Sequence, residues 1–104
     1  MRNNITEKHN PKPPNLRSIR RACRRELERT IKKLKQYIPA DQVKQAEELY
    51  YQKVLQNITF IMENRSNRKA QANWWEEHVA PEIASIWEID ESRLTHAFRD
   101  SYGG

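Results

Sequence analysis

A chain of 104 residues has room for one hydrophobic core, and 37% hydrophobic against 32% charged residues with two glycines suits helices better than sheet. No apolar run is long enough to span a bilayer, residues 1–10 hold no signal-like apolar core, and the single cysteine, Cys23, excludes an internal disulfide. A net charge of +5 points to an anionic partner, and the expectation is a cytoplasmic, non-enzymatic protein without cofactor or metal.

Residues 1–14 are polar, basic and proline-bearing, and are expected to form a flexible arm carrying Arg2, Lys8 and Lys12. Residues 15–104 then form one helical domain. The first helix is expected from Asn15, a good N-cap, to about Tyr37, with Leu16, Ile19, Cys23, Leu27, Ile31 and Leu34 on one stripe. Pro39 ends it. A second helix is expected from Asp41 to about Glu63, striped by Val43, Ala46, Tyr50, Val54, Ile58 and Ile61, and the most buried of all. Residues 64–67 (Asn-Arg-Ser-Asn) read as a break.

The third segment runs from Arg68 to Trp87 with Ala72, Trp75, Val79, Ile83 and Ile86 on one face. Pro81 lies inside it, and is read as the first turn of a new helix. Ile89 and Asp90 supply a turn and a cap, and a last short helix covers Glu91 to Ser101 with Leu94, Ala97 and Phe98 inward. The fold expected is an all-α bundle of four to five helices, a long N-terminal hairpin followed by a short helix-turn-helix-like pair.

The basic face of the first helix is the leading functional signal. Arg17, Arg21, Arg25 and Lys32 fall opposite the apolar stripe, flanked by Arg24, Arg29, Lys33 and Lys35. Between residues 15 and 35 nine basic residues meet two acidic ones, Glu26 and Glu28, a surplus larger than solubility needs. Arginines on one rigid face offer forked donors that match phosphate oxygens, so nucleic acid is the leading partner. Charge is also split along the chain: residues 1–69 hold 17 basic and 7 acidic side chains, residues 70–104 hold 2 and 7. Such blocks also suit an acidic protein, mutual attraction of the two halves, or a homodimer.

Residues 83–99, Ile-Ala-Ser-Ile-Trp-Glu-Ile-Asp-Glu-Ser-Arg-Leu-Thr-His-Ala-Phe-Arg, carry a small residue (Ala84), an apolar turn residue (Ile89), a cap (Asp90) and inward Leu94 and Phe98. This pattern resembles one half of an AraC-type DNA-binding domain, with Glu88 standing where the family's turn usually has glycine. By that resemblance Arg93, Thr95, His96 and Arg99 would face a DNA groove. Glu88, Asp90 and Glu91 make the segment acidic, which opposes approach to phosphate.

Adjacent Trp74 and Trp75 point about 100° apart on a helix, so one of them is expected at a boundary. An exposed Trp74, Tyr51 or the acidic C-terminal face would dock a protein partner, which makes a protein-binding module (inhibitor, immunity-like or assembly factor) the alternative function. Cys23 falls on the apolar stripe and is read as a core residue. His78 and Glu82 have a four-residue spacing but no further ligands.

Overall fold

A computed structural model of the chain describes residues 15–104; the expected arm at 1–14 lies outside the described residues. Among the described residues six helices follow one another: α1 (Leu16–Leu34), α2 (Ala40–Gln56), α3 (Ile58–Glu63), α4 (Arg68–His78), α5 (Ala80–Trp87) and α6 (Glu91–Tyr102). The all-α expectation stands, but the count of four to five does not. The stripe read as one helix from Asp41 to Glu63 is cut at Asn57. There the side-chain amide donates to the Lys53 carbonyl and the backbone N–H to Lys53 and Val54. Asparagine thus competes for the carbonyls that would continue the helix. The chain restarts as α3, whose Phe60 is exposed and which buries no residue fully, so the expected second helix is not the most buried over its whole length.

α1 also stops earlier than Pro39 requires. Lys35 turns left-handed at φ 55° and its N–H closes on the Ile31 carbonyl. The Arg93 guanidinium, from the start of α6, donates to the Leu34 carbonyl at 2.9 Å and satisfies an acceptor that the helix end leaves open. Pro81 lies in the first turn of α5 as expected, and this separates His78 from Glu82.

α1 packs against α2, where Arg24 meets Glu47 and Glu26 meets Tyr50, and has its most extensive interface with α6. Both neighbours run antiparallel to it: Ile31 faces Val43 while Ile19 faces Val54, and the start of α6 meets the end of α1. α4 and α5 close the remaining side. The centre is aromatic. Trp75 stacks on Phe98 with centroids 3.8 Å apart, Tyr50 meets Trp75 edge-on, and Phe98 stacks in turn on Tyr102. Burial of Leu27, Ile83, Leu94 and Phe98 supplies the driving force, and truncating such a side chain as Phe98 to alanine costs about 3–5 kcal/mol. No described helix is long and apolar enough to cross a membrane.

Candidate nucleic-acid interface

α1 buries Ile19, Cys23, Leu27, Thr30 and Leu34 and turns the opposite face to solvent. Arg17, Arg21, Arg25, Arg29 and Lys32 are all exposed there. None of the five forms an ion pair with another described residue. At 1.5 Å rise and 100° per residue they span about 22 Å of helix and an arc of about 120°. Asn15 holds the start of this helix by accepting from the Ser18 N–H at 2.7 Å, so the row sits on a capped, packed element and not on a loop.

The other basic residues of α1 have internal work. Arg24 donates Nε to Glu47 at 2.9 Å, and Glu47 is only 4% exposed. Hydrogen bonding to Glu47 is also what holds the Arg24 guanidinium above its ordinary pKa. Arg20 pairs with Glu48 at 2.8 Å and lies over the Tyr51 ring at 4.2 Å. Lys33 reaches Asp100 of α6 at 3.2 Å. The structure thus divides the basic residues of α1 into a structural set facing α2 and α6 and an outward set facing nothing described. Arg24 and Lys33, read from the sequence as flanking the outward row, belong to the structural set.

Helix α6 engages both of its arginines within the fold. The turn itself forms as the pattern suggests: Glu88 is left-handed (φ 53°), the Ile89 N–H closes on Ala84, and Asp90 accepts from the Arg93 N–H. The Arg93 side chain, however, is bound to Gln36 and Leu34, and Arg99 to Asn73, Glu76 and the Gly104 carbonyl. Thr95 is buried and Arg99 half-buried, while Arg93 and His96 are exposed. α6 spends its inward face on α1 and its arginines on neighbouring helices.

Both suggested docking aromatics are inside. Trp74 is 6% exposed with its ring stacked on His78, and Tyr51 is covered by Arg20. Trp74 and Trp75 are both buried because they enter different parts of the core. Trp75 joins the central stack; Trp74 lies toward α3, where it shares a cleft with Asn57 and Phe60. The indole Nε1 atoms of both are buried without a hydrogen-bond partner among the described residues.

Two features carry no signal in the stripe pattern. One is a cavity of about 220 Å³ bounded by α1, α2, α3, α4 and α6, into which Glu26, Cys23, Tyr50 and Trp74 face. Tyr50 donates a hydrogen bond to the Glu26 carboxyl, and burial pushes that carboxyl above its usual range; burial likewise pushes the Cys23 thiol up, away from reactivity. The other is an open groove at the loop end of the α1–α2 hairpin, lined by Lys32, Tyr37, Ile38, Val43 and Lys44 among others. Tyr37 is 82% exposed. The available clue was its position, an aromatic outside every stripe and two residues before Pro39.

Comparisons with protein-family models, curated proteins and solved structures found no match.

Proposed function

We propose that the chain is a non-enzymatic, nucleic-acid-associated binding or regulatory protein that grips phosphates with the outward face of α1. The observation that carries this reading is the row Arg17, Arg21, Arg25, Arg29 and Lys32, exposed on a rigid helix and unpaired with any described carboxylate. Like charges one turn apart repel by a few tenths of a kcal/mol per pair. Among the described residues that cost is offset only by the pull of Arg25 and Arg29 on the half-buried Glu26 carboxyl, whereas a polyanion removes it and releases its own counterions on binding. Four of the five are arginines, whose planar forks suit phosphate oxygens. Interactions of this kind position a protein without reading bases, so binding is expected to be weakly dependent on sequence. The reading places the protein in the cytoplasm, where such polymers are at hand.

Charge reversal at Arg17, Arg21 and Arg25 tests it. Affinity for duplexes of unrelated sequence should fall together, and the slope of log K against log salt should flatten by about 0.9 for each phosphate that the variant no longer neutralises. Helix content should be preserved, since none of the three touches the core. A wild-type protein that binds neither duplex nor single strand at low salt would sink the proposal.

A further inference from the structure

The groove at the loop end of the α1–α2 hairpin meets the basic row at Lys32, which belongs to both. From this junction we infer that the strand held along α1 is single, with an unpaired base seated in the groove against Tyr37. The inference rests on the phosphate-binding reading and adds the form of nucleic acid that the same surface takes.

Tyr37 stands with most of its ring in water, in a connection whose backbone is set by the left-handed Lys35 before it and Pro39 after it. Beside it Ile31, Ile38 and Val43 line the groove with apolar surface, while Lys32 and Lys44 bring ammonium groups to the same opening. Neither lysine pairs with a described carboxylate. An exposed ring, an apolar floor and cations together match a nucleotide, which has a flat apolar face, a polar edge and a phosphate. Stacking of this kind tolerates any base, because every base has a π-face.

The groove also accounts for Glu28, the acidic residue among the outward cations of α1. Glu28 lines the groove with Arg24 and Lys32, where a carboxylate accepts a hydrogen bond from a base's exocyclic amino group. Glu47 lines it too, but its oxygens are taken by Arg24. In a duplex the base faces are stacked on one another and the Watson–Crick edges are paired. Tyr37 therefore contributes to single-strand binding alone, while the arginine row serves either form.

The test is fluorescence anisotropy at low salt with a labelled mixed-sequence single strand and with its annealed duplex. Wild type, Tyr37→Ala, Tyr37→Phe and the double variant Arg21→Glu/Arg25→Glu are compared, with circular dichroism to show that each is folded. Tyr37→Ala should weaken single-strand binding by about tenfold or more, the scale of removing one base stack, and leave duplex binding unchanged. Tyr37→Phe should retain wild-type affinity, and the arginine variant should weaken both forms. A strand carrying 5-iodouracil should crosslink under ultraviolet light to the tryptic peptide 36–44. If wild type binds but Tyr37→Ala is neutral, or crosslinks fall only elsewhere, the inference is overturned and the phosphate reading stands. If neither nucleic acid binds, that reading falls and the inference with it.

Discussion

Arg24 gives both Nε and Nη2 to Glu47, while Arg21, three residues earlier, meets no described carboxylate. Removing Arg24 leaves the buried Glu47 with Arg20 alone, at 3.8 Å, and an underpaired buried carboxylate is costly. Arg24→Ala should lower the melting midpoint by several degrees, whereas Arg21→Ala should leave it within about 2 °C. Equal effects in a thermal melt would show that the division of α1 into structural and outward cations is mistaken. Glu26 behaves differently, because burial raises its carboxyl while the Tyr50 hydroxyl and the nearby Arg68, Arg25 and Arg29 pull it back down. A raised folded-state pKa means that the folded chain keeps this proton to higher pH than the unfolded chain does. Its contribution is therefore most favourable in acid and is lost as pH rises from the ordinary carboxylate range through the folded value. Glu26→Gln cannot ionise, so the variant's stability relative to wild type should increase between pH 4 and pH 7. Parallel curves for the two proteins would contradict the burial of that group.

At the scale of elements, the helix ends decide the topology. Asn57 cuts α2 from α3, Lys35 ends α1, and Glu88 ends α5 in a left-handed turn that its N–H ties to Ala84 and Ser85. Glu88 is a non-glycine residue at positive φ, a conformation that costs an L-residue roughly 1–2 kcal/mol. Glu88→Gly relieves that strain at some cost in unfolded-state entropy. A net gain of about 1 kcal/mol is expected, measured as a higher urea midpoint at unchanged slope. A drop in stability would mean that the Glu88 side chain does something its exposed position does not show. Gly103 serves the same geometric purpose after α6, at φ 92°. Gly104 then passes so close to α4 that a Cβ would sit 2.6 Å from the Arg68 carbonyl oxygen.

Across the whole molecule, part of the charge asymmetry is spent internally. Lys33 pairs with Asp100 and Lys53 with Glu82, each joining the basic and acidic halves, and Arg99 pairs with Glu76 within the acidic half. These pairs are partly exposed, so each contributes little and salt screens it. The α1 row is the longest run of exposed cations on one helix that pair with no described carboxylate. Raising salt from 50 to 200 mM, round values spanning the usual assay range, should therefore cut nucleic-acid affinity by orders of magnitude, about 10³-fold if about six phosphates are neutralised. The melting midpoint should move by only about 2–3 °C over the same range. A melt as salt-sensitive as the binding would place those charges in the fold and not at an interface.

The helical class, the apolar stripes, the caps at Asn15 and Asp90 and the outward set Arg17, Arg21, Arg25 and Lys32 were legible in the sequence, because each depends on spacing within a few residues of one helix. The break at Asn57 was not, since a polar residue in a polar-flanked stripe looks the same whether or not its amide turns back onto the backbone. Nor was the fate of Arg24, Arg93 and Arg99, whose partners are 5 to 59 residues away in the chain. Trp74 and Tyr51 are buried for the same kind of reason: what covers them comes from other segments, and the exposure of Tyr37 reflects that no described segment does. Local periodicity fixes which face of a helix can be buried, but only the packing of distant segments decides which polar groups are already taken and which are left for a partner.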